Sequence, residues 1–345
     1  MLKFKTSLIF GGGAFGTSIA SVLANNFERV ILLVRSPEVY QSLKNQRENI
    51  QYLPGIKLPS NIIPALTWDE VFALANDDIE LVVSGLPTSS IKDYCDENYN
   101  RLEKILIKGI PLVSLSKGMN AETLELADEI FYHHFSDFKD NFCYLSGPSF
   151  AKEIVDKQIT AVSLAGRSRS NLEKVMHYMQ TPYFKTLPSY DVKGVLLGGS
   201  LKNLLAIGGG IVEGLGFNHN TTAAMITYGI NEMLRYGVVY NARPETFYGL
   251  SGMGDLILTV TGHFSRNKSF GLEISKGRKS EDIIKSQRTT VEGYKTTKAA
   301  YLIAEKYQIR ARVTKILYGV LYENKDPLSE IHELMKLPSR FQDIT

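Results

Sequence analysis

Short apolar runs alternate with longer amphipathic stretches along the first half of the chain. The runs are rich in β-branched residues, as buried strands are. They occupy residues 7–10, 30–34, 81–84, 111–115 and 143–145. Because helical periodicity lies between them, this half predicts βαβ units and a parallel sheet. Residues 160–165 and 186–187 continue the predicted sheet to about Tyr190, whereas the prolines of residues 54–64 indicate an extended loop.

The pattern changes near Asp191. Long helical patterns follow one another from there, with no strand run of similar strength between them, at residues 192–214, 221–236, 299–306 and 314–322. A chain of 345 residues exceeds the usual roughly 100–200 residues of one domain. We therefore predict an α/β protein with two domains, an N-terminal doubly wound parallel sheet over residues 1–190 and an all-helical domain over residues 191–345.

One nearly uncharged segment, residues 194–212, has the length of a membrane span. It carries six glycines and places Lys202 at its middle, which a lipid-exposed helix disfavours. We predict a buried helix there and no membrane span.

Composition narrows the function classes. The chain is 44% hydrophobic and 22% charged, as ordinary globular enzymes are, and its net charge of +3 gives no reason to expect nucleic acid as a partner. Cys95 and Cys143 lack partners at metal-ligand spacing, so we expect free thiols, no metal site and a reducing compartment. The first residues lack the pattern of a signal peptide, and a cytoplasmic location is expected.

A glycine pattern follows the first apolar run. Gly11, Gly13 and Gly16 fit G-x-G-x-x-G at the start of a helical pattern. The first glycine allows a tight turn, the second lets the backbone approach a pyrophosphate, and the third lets helix and strand pack closely. The alternative is a flexible glycine turn, but the strand–turn–helix context favours a dinucleotide site in a Rossmann sheet.

Arg35 ends the second predicted strand, where NAD-selective sites usually carry an acid for the ribose hydroxyls. A guanidinium there can pair with the 2′-phosphate of NADP or stack on adenine. A solvated arginine at a strand end is the alternative. NAD or NADP is the expected cofactor.

The second half contains three candidates for chemistry. Lys202 is the only charged residue between Lys193 and Glu213, and burial would lower its pKa toward the range of a general acid or base, unless the side chain snorkels to water. Asp255 follows a glycine-rich stretch, and its simplest role is that of a helix N-cap. Residues 265–267 combine hydroxyl, guanidinium and amide donors that suit a phosphate monoester, although such a segment is also typical of a solvated basic loop.

The chain resembles the bacterial-type NAD(P)-dependent glycerol-3-phosphate dehydrogenases nearly from end to end. The matching segments are short, but their order and spacing are specific. They are residues 11–18, 52–59, 116–118, 146–151, 201–203, 252–256, 265–267, 291–293 and 317–327. The resemblance implies a Rossmann domain, a helical domain and a cleft between them for dihydroxyacetone phosphate. It also implies a pathway role in supplying glycerol 3-phosphate for phospholipids, and a homodimer stays open as the assembly.

Site roles follow from the resemblance by position. Lys202 matches the catalytic lysine of the family. Positions that contact substrate in the family match Lys117, Gly147, Ser149, Lys202, Asp255, Ser265, Arg266 and Asn267. Positions that contact the cofactor match Ala14, Phe15, Arg35, Lys117, Ala151, Arg266, Thr290 and Glu292, in addition to the three glycines of the first loop. Departures from the family pattern include Phe15, where Trp or Tyr is commoner, and Tyr228, where Arg is common.

Two other functions compete with this interpretation. A β-hydroxyacid dehydrogenase has the same architecture and a lysine in its helical domain, but its substrate is a carboxylate. A nucleotide-sensing module would keep the glycine loop without catalysis, which the presence of Lys202, Asp255 and Arg266 together disfavours.

Overall fold

The computed structural model of this protein describes residues 3–286 and 291–336. Its N-terminal half contains eight strands in a single sheet. The strands are β1 (Phe4–Phe10), β2 (Phe27–Leu33), β3 (Ile62–Ala65), β4 (Ile79–Ser84), β5 (Leu112–Ser114), β6 (Phe142–Ser146), β7 (Thr160–Gly166) and β8 (Phe184–Ser189). In the described part of the chain no strand follows β8, so the predicted change from an α/β half to a helical half is confirmed.

Seven helices lie between the strands. They are α1 (Ala14–Leu23), α2 (Pro37–Gln46), α3 (Trp68–Ala75), α4 (Ile91–Leu106), α5 (Ala127–His134), α6 (Ala151–Val155) and α7 (Arg169–Met179). The described residues after the sheet form α8 (Val192–Gly214), α9 (His219–Val239), α10 (Pro244–Tyr248), α11 (Asp255–Thr261), α12 (Arg266–Ser275), α13 (Ser280–Ser286), α14 (Glu292–Tyr307), α15 (Arg312–Tyr322) and α16 (Pro327–Lys336).

The strand order is β3-β2-β1-β4-β5-β6-β7-β8. Chain order reverses between β1 and β4, which is the switch point where open α/β sheets bind ligands. The expectation of a wholly parallel sheet is wrong at one place, because β7 runs antiparallel to β6. The connection between these strands carries only the five-residue α6, and a short connection without a full crossover helix suits an antiparallel return.

Strand β3 is a second correction, since residues 54–64 were expected to be a loop throughout. The strand pairs with β2 from Ile62 to Ala65 and includes Pro64. It lies at the edge of the sheet, where a proline that lacks an N–H removes no bond from a central ladder.

Apolar residues cover both faces of the sheet. One face packs against α1 and α7 in a cluster that includes Ile19 and Val175. The other face shares a single cluster with the helical half, which runs from Leu8 and Phe10 to Leu197 and Leu321. Helix α8 is long and apolar enough to cross a membrane, but its apolar stretch is buried inside the protein, as expected from its sequence, and only its last residues, Glu213 and Gly214, are exposed.

Candidate active site

The parallel strands bring the predicted site together at one edge of the sheet. The glycine loop follows β1, Arg35 lies two residues after β2, and Lys117 and Gly147 follow β5 and β6. Parallel strands point their carboxyl ends to the same edge, so residues far apart in sequence meet there.

The glycine loop has the backbone geometry that its sequence predicts. Gly11 has a φ of +105°, a conformation that side chains disfavour, and a Cβ at Gly16 would lie 2.1 Å from the Gly11 carbonyl oxygen. Gly13 differs, because no atom lies within 4 Å of the position that its Cβ would take. Gly13 is also the N-cap residue of α1 and offers no side chain to the first N–H groups of that helix. The open, uncapped helix start fits a pyrophosphate.

Lys202 is buried on α8, with 8% of its surface exposed. Its ammonium donates to Asp255 Oδ1, and to Thr259 Oγ1 at 2.9 Å. Burial lowers the pKa of Lys202 to about 8, although the Asp255 carboxylate opposes that shift. The snorkelling alternative is therefore wrong, because the charged head lies inside the protein.

Asp255 lies between two lysines. Its Oδ2 accepts from Lys117 Nζ at 2.9 Å, while Oδ1 accepts from Lys202. Burial alone would raise the pKa of Asp255, but the charges of Lys117 and Lys202 together hold it below its usual value. The N-cap prediction is wrong, since Gly254 is the N-cap of α11 and the carboxylate bonds to lysines rather than to backbone.

Lys117 connects the cluster to the glycine loop. Besides Asp255, its ammonium donates to the Gly147 carbonyl at 2.9 Å and to Ser149 Oγ at 3.2 Å. It also lies 5.1 Å from the centre of the Phe15 ring, within cation–π range. All three ammonium protons therefore have partners inside the protein, which gives Lys117 the geometry of an organiser of the site.

The segment at residues 265–267 begins α12, as its sequence suggested. Ser265 is the N-cap, and its Oγ accepts from the Lys268 N–H at 3.2 Å. The side chain of Arg266 is exposed and makes no hydrogen bond or ion pair with the residues that the structure describes. Among the described residues nothing is hydrogen-bonded to its guanidinium fork, whereas the ammonium of Lys117 has three partners.

Asn267 faces inward and belongs to a relay of amide groups. Its Nδ2 donates to Asn203 Oδ1 at 2.9 Å, and its Oδ1 accepts from the Gly293 N–H at 3.0 Å. Asn203 in turn donates to the Lys117 carbonyl at 2.7 Å. The relay joins β5, α8, α12 and α14, so the structure uses the Asn267 amide to assemble the site.

Glu292, the first residue of α14, lies beside this relay and is partly buried. Burial raises the pKa of Glu292 to about 6, against the opposing charges of Arg266, Lys202 and Lys117. The backbone N–H of Thr88 also opposes this rise in the pKa of Glu292. These interactions place Glu292 between the sheet edge and α12.

The remaining cofactor candidates lie around the glycine loop. Ala14 and Phe15 begin α1, and Ala151 begins α6, which packs against α1. Arg35 is exposed beyond the end of β2 and makes no hydrogen bond within residues 3–286 and 291–336. Thr290 lies outside the described residues.

Sequence reasoning assigned no role to Thr259, Asn203 or Asn49. Thr259 lies one helical turn after Asp255 on α11, a spacing that could have revealed it as a second partner of Lys202. Asn203 donates to the carbonyl of Lys117, 86 residues earlier, and Asn49 donates to the carbonyl of Gly12, 37 residues earlier. No local spacing in the sequence points to either contact.

Models of one protein family match almost the whole chain. The N-terminal region described as NAD-dependent glycerol-3-phosphate dehydrogenase matches residues 7–172, and the C-terminal region of the same family matches residues 191–332. Among curated relatives, the glycerol-3-phosphate dehydrogenase [NAD(P)+] of Leptospira biflexa is 38% identical, over 95% of this chain and 96% of its own length. The corresponding protein of Citrifermentans bemidjiense is 39% identical over 95% of this chain and 96% of its own.

Solved structures show the same architecture. Glycerol-3-phosphate dehydrogenase from Coxiella burnetii superposes with a TM-score of 0.85 at 27% identity, and the match covers 97% of this chain and 99% of that one. The enzyme from Plasmodium falciparum, at 24% identity, covers 98% of this chain and 97% of its own and has a TM-score of 0.79, which supports the fold.

Proposed function

This chain belongs to the NAD-dependent glycerol-3-phosphate dehydrogenase family, and on that premise we propose that it interconverts dihydroxyacetone phosphate and sn-glycerol 3-phosphate with NAD(P)(H). The observation that carries the proposal is the buried Lys202 ammonium. It has a lowered pKa and a carboxylate partner, and Lys117 links that partner to the glycine loop. A proton donor is thereby placed beside the predicted cofactor site.

Lys202 supplies the proton in the reducing direction. When bound, the nicotinamide supplies the hydride that the ketone carbon gains. An ammonium has three donors, and the Lys202 bonds to Asp255 and Thr259 use two of them. The third has no partner among the described residues, and we assign it to the ketone oxygen. In the oxidising direction neutral Lys202 accepts the proton of the alcohol, and a pKa of about 8 makes both forms accessible near neutral pH.

Asp255 and Lys117 hold this donor in place. The two oxygens of Asp255 bind the two ammonium groups, so Lys202 cannot swing away without breaking a buried ion pair. Such pre-positioning converts binding into a correct geometry for proton transfer.

The phosphate group is assigned to the start of α12. Arg266 offers a planar fork that makes no hydrogen bond with the described residues, and the first N–H groups of a ten-residue helix favour an anion. Arg35 lies at the far side of the glycine loop, where it is assigned to the ribose 2′-phosphate or the adenine. Gly147 and Ser149 are assigned to the substrate, and Ala151 and Glu292 are assigned to the cofactor.

Location and assembly remain parts of this proposal. Cys95 and Cys143 are both buried and unpaired, which fits a reducing cytoplasm. A homodimer is the assembly that we include in the proposal, and the supply of glycerol 3-phosphate for phospholipid synthesis is the pathway role that the family implies.

A substrate comparison tests the proposed reaction. Oxidation of NADH or NADPH is followed with dihydroxyacetone phosphate, and reduction of NAD(P)⁺ is followed with glycerol 3-phosphate and with a 3-hydroxy acid. We expect turnover with the two phosphates and none above background with the hydroxy acid. Turnover with the hydroxy acid alone would instead support the β-hydroxyacid dehydrogenase, and binding of NADPH without any turnover would support a sensing module.

A further inference from the structure

Asn49 reaches the glycine loop from a segment outside the site described above. It lies in the turn after α2, where its carbonyl accepts from the Leu53 N–H at 2.8 Å. Its side chain is buried, with 1% of the residue exposed. Nδ2 donates to the Gly12 carbonyl at 2.8 Å and to Thr17 Oγ1 at 2.8 Å. Through Asn49, the segment after α2 is therefore hydrogen-bonded to both the glycine loop and the first turn of α1.

The loop needs such a contact because of its composition. Gly11, Gly12 and Gly13 are consecutive, and glycine adopts many backbone conformations at little cost. Without an external partner the peptide between Gly12 and Gly13 could rotate between conformers. A ligand that binds only one conformer would then bind with lower apparent affinity, because only a fraction of the protein would be in that conformer.

The direction of the contact decides what it does. A trans peptide is planar, so the N–H of Gly13 points away from the carbonyl of Gly12. Since Asn49 holds that carbonyl, the Gly13 N–H points to the opposite side. Gly13 also has open space beside it, since no atom lies within 4 Å of the position that its Cβ would take. The bond thus fixes one donor of the uncapped helix start.

We infer that Asn49 is a positioning residue for the cofactor, which locks the Gly12–Gly13 peptide so that its N–H faces the pyrophosphate of the dinucleotide. The inference rests on the proposed function for the identity of the cofactor. Asn49 does not touch the cofactor itself, and it acts through Gly12 and Thr17.

Two substitutions test whether Asn49 fixes the Gly12–Gly13 peptide. Asn49→Ala removes the amide, and Asn49→Leu removes it while keeping the side-chain volume. Loss of two hydrogen bonds should raise the Kd of NADH by about 5- to 30-fold in both variants. ADP-ribose, which carries the same pyrophosphate, should weaken by the same factor. The value of kcat and the KM for dihydroxyacetone phosphate should stay within about twofold. Quenching of protein fluorescence or calorimetry measures the binding.

Asn61 provides a matched control. Its Nδ2 also donates to two carbonyl groups, those of Ala24 at 3.0 Å and Phe27 at 2.9 Å. These contacts lie at the amino ends of the strands, away from the glycine loop at their carboxyl ends. Asn61→Ala should lower the melting temperature as Asn49→Ala does and leave both Kd values within about twofold. Equal cofactor affinity in the Asn49 and Asn61 variants would overturn the inference, and so would full affinity in Asn49→Leu, because packing alone would then explain the loss.

A third variant guards against poor folding. Thr17→Val removes only one partner of Asn49, so the Kd of NADH should rise by about two- to fivefold, and no rise at all would count against the lock. Binding also separates the two proposals. If the wild-type protein binds NADH but does not reduce dihydroxyacetone phosphate, the proposed function fails, while the binding comparison still decides the role of Asn49.

Discussion

Lys202 illustrates at the scale of one residue how burial prepares a group for chemistry. An exposed lysine is almost fully protonated near neutral pH and gives up its proton reluctantly. Burial lowers the pKa of Lys202 to about 8, and Asp255 prevents a larger fall. The balance leaves the ammonium predominant at pH 7 and the free amine predominant above pH 8.

We expect Lys202→Ala to lower kcat by about 10²- to 10⁴-fold while cofactor affinity changes little, because a general acid is lost. Lys202→Arg is the matched control that keeps the charge, and it should be nearly as slow, since a guanidinium does not release its proton. In the wild-type enzyme the rate of reduction should fall and the rate of oxidation should rise as the pH passes about 8. Steady-state kinetics across pH 6–10 measures both, and near-normal turnover in Lys202→Arg would remove proton transfer from the role of Lys202.

Arg35 leads to a prediction about cofactor choice. Its exposed guanidinium at the end of β2 would attract the 2′-phosphate of NADPH, whereas a carboxylate there would repel it. NADPH should be accepted at least as well as NADH, and Arg35→Ala should raise the KM for NADPH more than the KM for NADH. Equal weakening of the two cofactors would show that Arg35 does not contact the 2′-phosphate.

Arg266 is expected to select the phosphorylated substrate. Arg266→Ala should lower kcat/KM for dihydroxyacetone phosphate by about 10- to 100-fold, since a charge-assisted contact is lost at an exposed position. Arg266→Lys should recover only part of that loss, because a point charge lacks the planar fork. The slow rate with unphosphorylated dihydroxyacetone is the control and should barely change. Equal losses with both substrates would indicate that Arg266 acts through the cofactor or the helix.

At the scale of elements, the crossing of α8 and α12 sets the spacing between proton donor and phosphate site. A Cβ at Gly210 would lie 2.0 Å from the Lys268 carbonyl oxygen, and one at Gly271 would lie 2.1 Å from that of Ile207. Only glycine allows the two backbones to approach so closely. The start of α12, with Arg266, is thereby held against the helix that carries Lys202.

Helix α15 begins on a buried carboxylate from another helix. Glu232 of α9 accepts from the backbone N–H groups of Val313 at 2.6 Å and Thr314 at 3.1 Å. Burial raises the pKa of Glu232 to about 7, although these bonds oppose the shift. The folded state therefore binds a proton on Glu232 more tightly than the unfolded state does. Protonation of Glu232 stabilises the folded state fully below about pH 4.5, and this stabilisation is lost as the pH rises through 7.

The free energy of unfolding should therefore depend on pH in the range where Glu232 titrates. Relative to Glu232→Gln, which does not titrate, the wild-type protein should lose about 3 kcal/mol of stability between pH 4.5 and pH 7. Urea unfolding at a series of pH values measures the difference. Glu97→Gln, a change at an exposed acid, should follow the wild-type curve. Parallel curves for the wild type and Glu232→Gln would mean that Glu232 does not titrate in this range.

At the scale of the molecule, the two halves share one core. The apolar cluster on one face of the sheet continues through α8 into the helical half, and Lys193 at the start of α8 binds Asp128 of α5 at 2.8 Å. We propose the division between residues 190 and 191, where β8 has just ended and Asp191 caps α8. The shared core nevertheless couples the two parts energetically.

We therefore expect a single unfolding transition. Trp68 is the only tryptophan in the sequence and lies buried on α3, so its fluorescence reports on the sheet half. Circular dichroism at 222 nm reports mainly on the helices. Urea midpoints from the two probes should coincide. Lys193→Met, which leaves Asp128 buried without its partner, should shift both midpoints together. Separate midpoints in the wild-type protein would show that each half unfolds alone.

Local patterns in the sequence were enough to determine the elements and much of the chemistry. Periodicity predicted seven of the strands and α8, and the glycine spacing predicted the loop after β1, because backbone sterics and amphipathic packing act over a few residues. The isolation of Lys202 among apolar residues was also visible, since burial follows local hydrophobicity. The family resemblance added the grouping of Lys117, Lys202 and Arg266.

Only the tertiary structure decided how the donors are used. Asp255 binds lysines that lie 53 and 138 residues away instead of capping its own helix, and the protons of Lys117 are all engaged within the protein. Asn49 grips a loop 37 residues earlier in the chain. Hydrogen bonds depend on distance and direction in space, so the way the strands and helices meet decides which donors are satisfied and which, like those of Arg266, have no hydrogen-bond partner among the described residues.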